Sequence, residues 1–225
     1  MRGLVAHEAG VGRERAGISG LPLADRFGVP AAAVLTDSAR LGDGRSVWDA
    51  GVVSHANARA TALGVSPGTR AADAARAMLK APPGVAAPAP LVDRRPRVVA
   101  ETAAGRVVLL SSMGFAGPEH RRDVLCAGSH GGRVNVARLL EVRPRGAIFN
   151  DGGIARDRSG VSGLPALDAV GVAAVAVGTM TARIGDPAST WDDGIVSVVN
   201  ETARRAGVAS GLPARAAALL ILERG

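Results

Sequence analysis

The stretch GAIFNDGGIARDRSGVSGLPALDAVGVAAVAVGT, residues 146–179, decides the fold because strand and helix patterns alternate within it. GAIFN (146–150) is a short apolar run typical of a buried strand, and VAAVAVGT (172–179) is a second one. The residues between them, 157–171, favour a helix and end at a glycine, which commonly terminates helices. A strand, a helix and a strand in this order predict two parallel strands joined by a right-handed crossover.

The same arrangement of residues occurs earlier in the chain. Residues 9–65 align with residues 152–208 without a gap, and about half of the aligned positions are identical. The alignment pairs the two tryptophans of the chain, Trp48 and Trp191, so chance does not explain it. We therefore expect an α/β fold with a mostly parallel sheet flanked by helices, built from two internally repeated βαβα units.

The remaining elements are predicted from apolar periodicity and from glycine and proline positions. Further strands are expected at residues 3–7, 29–36 and 123–128, and as a pair around a turn within 97–112. Helices are expected at residues 16–27, 46–63, 69–80, 189–207 and 212–222. The domain prediction is a first repeat at 1–80, a proline-rich linker at 81–96, and a second repeat with extra N-terminal strands at 97–225. The repeats form either one pseudo-symmetric domain or two tightly packed halves.

Composition excludes several classes of protein. The apolar runs are shorter than the roughly 20 residues of a membrane span, and His7 and Glu8 interrupt the place of a signal-peptide core. The single cysteine, Cys126, cannot form an internal disulfide, which fits a reducing cytoplasm. The net charge of +7 comes from arginines scattered among acidic residues, with three phenylalanines and two tryptophans to stack on bases. We therefore expect a cytoplasmic globular protein that binds neither membranes nor nucleic acid.

Polar, glycine-containing loops follow three of the predicted parallel strands, at residues 128–132, 150–153 and 180–186. Ligands of open parallel sheets bind beyond the carboxyl ends of the strands, so these loops predict a shared site at one edge of the sheet. The first repeat has His7 where the second has Asn150, and this change of residue type favours a site built between unequal halves.

Four side chains at these strand ends are candidate catalytic residues. His130 and, as the alternative, His7 carry imidazoles that titrate near neutral pH and can transfer protons. Asp151 can orient a water molecule or position His130. Ser129 is a candidate nucleophile, although the GxSxG motif that exposes such a serine on a sharp turn is absent.

Substrate binding is predicted for Gly131, Gly132, Asn150, Arg183 and Arg40. The backbone N–H groups of Gly131 and Gly132 can hold an anion at the start of the helix that follows them. The guanidinium of Arg183 matches a carboxylate or phosphate with two parallel hydrogen bonds, and Arg40 is its counterpart in the first repeat. The alternative for both arginines is a structural ion pair with the aspartate three residues later.

Together these features predict an enzyme that acts on a small anionic metabolite, a carboxylate or phosphate, by acid/base chemistry of the hydrolase or lyase type. No organic cofactor is expected, because no strand is followed by the GxGxxG motif of dinucleotide-binding folds. A Mg²⁺ ion held by Asp151 or Asp186 is the one metal site left open. The alternatives are a non-catalytic metabolite-binding or sensor domain and a structural protein that forms homo-oligomers. The predicted partners are the metabolite and further copies of this chain.

Overall fold

The computed structural model describes residues 1–85 and 93–225 and has an α/β architecture with two sheets. The small sheet contains β1 (Leu4–His7), β2 (Ala31–Val34) and β3 (Val53–Ala56). The large sheet contains β4 (Arg97–Thr102), β5 (Gly105–Leu110), β6 (Val124–His130), β7 (Gly146–Asn150), β8 (Ala173–Val177) and β9 (Val196–Val199). The helices are α1 (Gly20–Arg26), α2 (Gly44–Ala50), α3 (Ala58–Ala62), α4 (Ala71–Met78), α5 (Arg133–Val142), α6 (Leu164–Asp168), α7 (Pro187–Asp193), α8 (Glu201–Arg205) and α9 (Ala214–Arg224). Residues 86–92 of the predicted linker lie outside the described ranges.

The predicted mostly parallel sheet flanked by helices is confirmed. In the large sheet, β5, β6, β7 and β8 run parallel, and the edge strands β4 and β9 are antiparallel to their neighbours. In the small sheet, β1 and β2 are parallel and β3 is antiparallel to β2. The order β1-β2-β3 therefore has the same strand directions as β7-β8-β9. We refer to residues 1–85 as the first lobe and to residues 93–225 as the second lobe.

The core of the second lobe lies on both faces of the large sheet. Successive side chains of a strand point to opposite faces, so Ile148 of β7 packs on one side and Phe149 on the other. Ile148 joins a cluster with Trp191 of α7 and with residues of α9, whereas Phe149 joins a cluster with Leu139 of α5 and with residues of α6. Strands buried on both faces explain the near-continuous apolar runs of the sequence.

The two long helices predicted at residues 46–63 and 189–207 are wrong. Each of these segments contains a helix, a strand and a second helix: α2, β3 and α3 in the first lobe, and α7, β9 and α8 in the second. Gly51 and Gly194 end the first helix of each segment. Their backbone is extended, with ψ of 136° at Gly51 and 132° at Gly194. The valine-rich residues that follow then pair as strands, since β-branched side chains suit a half-buried sheet edge. The predicted βαβα order therefore lacks a third strand.

Two segments hold nearly all the strained backbone of the described residues. Residues with positive φ other than glycine lie mainly within 9–15 and 152–158, and these are Ala9, Val11, Glu14, Arg15, Ile154, Ala155, Asp157 and Arg158. A left-handed conformation costs such a residue about 1–2 kcal/mol, so surrounding contacts must hold it in place. The segments meet at Gly10 and Gly153, where a side chain on Gly10 would lie 3.0 Å from the Gly153 Cα atom. The strained segments therefore form the contact between the lobes.

Aligned residues make the same contacts across the lobes in both directions. The Arg13 N–H donates to the Thr179 carbonyl at 2.9 Å, and the Arg156 N–H donates to the Thr36 carbonyl at 3.2 Å. The alignment pairs Arg13 with Arg156 and Thr36 with Thr179. Each guanidinium also donates to a carbonyl two residues beyond that threonine. These reciprocal hydrogen bonds fix how the carboxyl end of each sheet faces the other.

Candidate functional site

The predicted glycine-rich turn at residues 128–132 is largely strand, because β6 continues to His130. The pairing of β6 with β7 is interrupted after Cys126 and resumes at His130. Gly128 lies inside this irregular part, and a Cβ atom there would be 2.5 Å from the Gly185 carbonyl carbon. Gly128 is therefore required by close packing against the backbone of a neighbouring loop, and only Gly131 and Gly132 remain as a turn before α5.

His130 of the second lobe lies against Gly42 of the first, where a Cβ atom would be 3.6 Å from His130 Nε2. Its Nδ1 accepts a hydrogen bond from the Gly132 N–H at 3.1 Å, so the neutral ring carries its proton on Nε2. Burial, with a smaller contribution from the nearby His7, lowers the pKa of His130 from 6.5 to about 4. A neutral imidazole with a free Nε2–H donor is therefore the form present at neutral pH.

His7 lies close to His130, but the backbone occupies both of its nitrogens. Its Nδ1 accepts from the Ala9 N–H at 3.0 Å, and its Nε2 donates to the Ala39 carbonyl at 3.0 Å. Asn150, its counterpart in the alignment, makes the equivalent hydrogen bonds with Gly152 N–H and the Ala182 carbonyl. The imidazole and the amide therefore perform the same structural task, which explains why this position stays polar while its residue type changes.

The two histidines line one cavity of about 440 Å³ between the lobes. Its other walls are mainly apolar and come from β1, α2, α4 and the loop before α2: Val5, Ala6, Leu41, Val47, Trp48, Ala71 and Ala75. Gly42 closes one side, and a Cβ atom there would be 3.3 Å from His130 Cε1. We refer to this cavity as the interlobe pocket.

Asp43 is the one carboxylate on the wall of the interlobe pocket. Its Oδ1 caps α2 by accepting from the Ser46 N–H at 2.9 Å, and no hydrogen bond within residues 1–85 and 93–225 uses its Oδ2. The corresponding Asp186 is instead held by the Arg183 guanidinium at 2.9 Å. Sequence reasoning gave the same structural ion pair as the alternative for both aspartates and so missed the difference between them.

Both predicted anion-binding arginines lie outside the interlobe pocket, in ion pairs. Arg183 contacts Asp186 and also Glu14 of the other lobe, at 3.1 Å. Arg40 pairs across the lobes with Asp157 at 2.8 Å. The expected pair within each repeat therefore forms for Arg183 alone, and each arginine contributes to the contact between the lobes.

The other predicted residues lie at the carboxyl ends of β6 and β7, and mutual hydrogen bonds occupy most of their polar groups. Gly131 N–H donates to the Asn150 carbonyl, and Gly132 N–H donates to His130, so neither amide is free to hold an anion. Asp151 accepts from the Thr179 and Gly153 N–H groups and from Ser197 Oγ. At these strand ends, the polar groups of Gly131, Gly132, Asn150 and Asp151 therefore bond to neighbouring protein groups and do not line the interlobe pocket.

Two further polar side chains lie near these strand ends, Ser129 of β6 and Glu8 after β1. Ser129 Oγ is buried without a hydrogen-bond partner among the described residues, so no base is positioned to activate it. Burial alone would raise the pKa of Glu8, but hydrogen bonds from Ser54 and Thr36 and the charge of His55 bring it below its ordinary value. Glu8 occupies the position that Asp151 has in the second lobe, and it bridges neighbouring strands in the same way.

Within the described ranges, no three histidine, cysteine or carboxylate side chains are close enough to hold a metal ion, and no helix is long and apolar enough to span a membrane. Comparison of the chain with protein-family models, curated proteins and solved structures gave no match.

Proposed function

We propose that the interlobe pocket is the active site of an enzyme that transforms a small carbonyl compound by proton transfer, as a hydrolase or lyase without an organic cofactor. The observation that carries the proposal is the neutral imidazole of His130 on the wall of an otherwise mainly apolar pocket, where a Cβ atom on Gly42 would lie 3.6 Å from its Nε2. A donor in such surroundings stabilises negative charge that develops on a substrate oxygen more strongly than the same donor would in water.

In this proposal, His130 polarises the carbonyl group and Asp43 accepts the proton. A neutral imidazole suits the first role, because it donates a hydrogen bond to the oxyanion without having to give up its own proton. The free Oδ2 of Asp43 suits the second, because a positioned carboxylate can take a proton from the carbon or water next to the carbonyl group. His7 acts as a positioning residue that orders the pocket wall.

The lining of the pocket defines the proposed substrate further. Neither lysine nor arginine lines it, so the predicted fixed anion has no cationic partner there. The negative charge would instead develop on the substrate oxygen during the reaction, where His130 donates its hydrogen bond. The indole of Trp48 and the aliphatic side chains around it favour a substrate with an apolar body.

We also propose that the lobes are two copies of one structural unit and that the site arose in the first copy alone. In the second lobe, Gly128 of β6 packs against Gly185 and Asp186, which correspond to Gly42 and Asp43. A strand thus occupies the space that the first lobe leaves open as a pocket.

A thermal-shift screen of small uncharged ketones, aldehydes, esters and amides, followed by turnover assays on the hits, tests this proposal. We expect Asp43→Asn to lower kcat at least 100-fold while leaving the unfolding midpoint unchanged, because asparagine caps α2 as well as aspartate does. Asp49→Asn, on the exposed side of the same helix, is the matched control. A hit that is turned over equally well by Asp43→Asn and His130→Ala would refute the proposed chemistry. Binding without turnover would instead support the alternative of a metabolite-binding module.

A further inference from the structure

β1 is an open edge of the small sheet. Leu4 and Glu8 donate their N–H groups toward β2, to the carbonyls of Pro30 and Val34. Because backbone groups alternate sides along a strand, the N–H and C=O of Val5 point away from β2. Within residues 1–85 and 93–225 no strand pairs with β1 on that side. Free backbone groups on an edge strand are a template for another strand.

The side chains next to this edge are exposed, whereas their counterparts in the second lobe are buried. Trp48 of α2 is 45% exposed and Trp191 of α7 is 9% exposed. Leu79, at the end of α4, is 65% exposed, and the corresponding Leu222 of α9 is 0% exposed. The aligned tryptophans and the aligned leucines thus differ in exposure, because each is covered by other residues in the second lobe and uncovered in the first.

In the second lobe, β6 and its neighbour β5 cover these side chains. Strand β6 pairs in parallel with β7, and its Val124 and Cys126 side chains pack into the cluster that contains Trp191 and Leu222. In the first lobe, the equivalent surface is a groove of about 260 Å³. We refer to it as the β1 groove; its lining includes Leu4, Val5, Trp48, Ala75 and Leu79.

We propose that the β1 groove docks an extended, uncharged, aliphatic segment of a partner polypeptide as an added parallel strand, in the way that β6 lies on β7. Leu125 and Cys126 are opposite Ala147 and Ile148, which correspond to Leu4 and Val5. A strand in this register covers Trp48 and Leu79, satisfies the free backbone groups of Val5, and stops before His7. The β1 groove and the interlobe pocket share Val5, Trp48 and Ala75, so a docked strand would also close one side of that pocket, but the proposal does not rest on the chemistry proposed there.

Charge around the β1 groove specifies the partner further. Arg76 lines the groove with its guanidinium 5.2 Å from the Trp48 ring centroid, and Arg2 and Lys80 are the chain neighbours of the lining residues Gly3 and Leu79. In the second lobe, Asp123 precedes the apolar part of β6: its backbone carbonyl accepts from the backbone N–H of Arg145, the counterpart of Arg2, and its carboxylate pairs with Arg106 at 2.7 Å. Because the cations around the groove are Arg2, Arg76 and Lys80, a partner with an acidic residue just before its apolar run is complementary, whereas a second copy would bring these cations close to its own.

The test uses the full chain and a blocked synthetic peptide of residues 123–128, DVLCAG, under reducing conditions. We expect saturable binding with a shift of tryptophan emission to shorter wavelength, because the peptide covers Trp48. Leu79→Glu should weaken binding at least 10-fold, since it places a charge in the β1 groove. Met180→Glu, at a residue that is 70% exposed outside the groove, should leave binding unchanged. The proposal would be overturned if a peptide of the reversed sequence bound with equal affinity. It would also be overturned if Leu79→Glu and Met180→Glu weakened peptide binding equally.

A tethered form removes the dependence on peptide affinity. In a chain with residues 97–145 duplicated directly ahead of Gly3, the added strand is joined to β1 as β6 is joined to β7. We expect amide hydrogen exchange at Val5 to slow at least 100-fold and Trp48 to emit as a buried indole. Unchanged exchange at Val5 would overturn the proposal. Self-association of the unmodified chain that is abolished by Leu79→Glu would also overturn the proposal, because the β1 groove would then bind a second copy of this chain.

Discussion

Protonation of His130 should destabilise the protein in a defined pH range. The unfolded chain binds a proton at this histidine near pH 6.5, whereas the folded protein resists protonation until about pH 4. The unfolded state therefore holds more protons between these values, and the free energy of unfolding falls as the pH is lowered through them. A pKa lowered from 6.5 to about 4 corresponds to a decrease in the free energy of unfolding of at most about 3 kcal/mol. For a chain of this size, that lowers the unfolding midpoint by roughly 6–12 °C.

Urea unfolding of the wild type and of His130→Gln at pH 7, 5.5 and 4.5 measures this contribution. Glutamine does not titrate, so the variant should lose less stability on acidification, and the difference between the two proteins isolates His130 from the carboxylates. NMR titration of the imidazole Cε1–H signals gives the same pKa directly. Parallel loss of stability in both proteins, or a His130 pKa near 6.5, would refute the buried neutral imidazole and with it the proposed oxyanion donor.

Two further changes have matched partners in the other lobe. Gly42→Ala and Gly185→Ala should each lower the free energy of unfolding by about 1 kcal/mol, because both glycines have positive φ. Only the added methyl group at position 42 contacts His130. Isothermal titration should therefore show that a ligand of the interlobe pocket found by screening binds at least 10-fold more weakly to Gly42→Ala, but not to Gly185→Ala. Trp191→Ala should lower the free energy of unfolding by about 4 kcal/mol. The loss for Trp48→Ala should be smaller by about 2 kcal/mol, because the Trp48 side chain buries much less area. Similar losses for both variants in denaturant unfolding would mean that Trp48 is covered in solution.

The central strands of the large sheet were predictable because burial on both faces leaves short apolar runs that are bounded by glycine and polar residues. Residues 146–150 and 172–179 contain such runs, and the structure has β7 and β8 there. The helices at 46–63 and 189–207 were not predictable in the same way, since apolar residues near helical spacing also occur where a helix is followed by a short edge strand. The glycine at the break is the local signal, but a single glycine is also tolerated within helices.

The location of the polar loops was predictable from topology, but their chemistry was not. Parallel strands bring their carboxyl ends to one edge, so His130 and Asn150 are adjacent strand-end residues, as expected. Which polar atoms remain free depends on contacts made by the rest of the fold. Asp43 keeps a free carboxylate oxygen because Arg40 pairs with Asp157 of the other lobe, and no local pattern in the sequence predicts that partner.

The contact between the lobes and the interlobe pocket have one physical cause. The strained segments at 9–15 and 152–158 are held in left-handed conformations by hydrogen bonds that each lobe donates to the other, so separating the lobes would remove the contacts that maintain the strain. This rigid contact places His130 of the second lobe against Gly42 of the first. Because β6 has no equivalent on β1 among the described strands, the space beside that histidine stays open in the first lobe. The asymmetry of the two sheets, and not any single loop, therefore creates a cavity whose wall contains both a strand-end imidazole and a carboxylate oxygen with no hydrogen bond within residues 1–85 and 93–225.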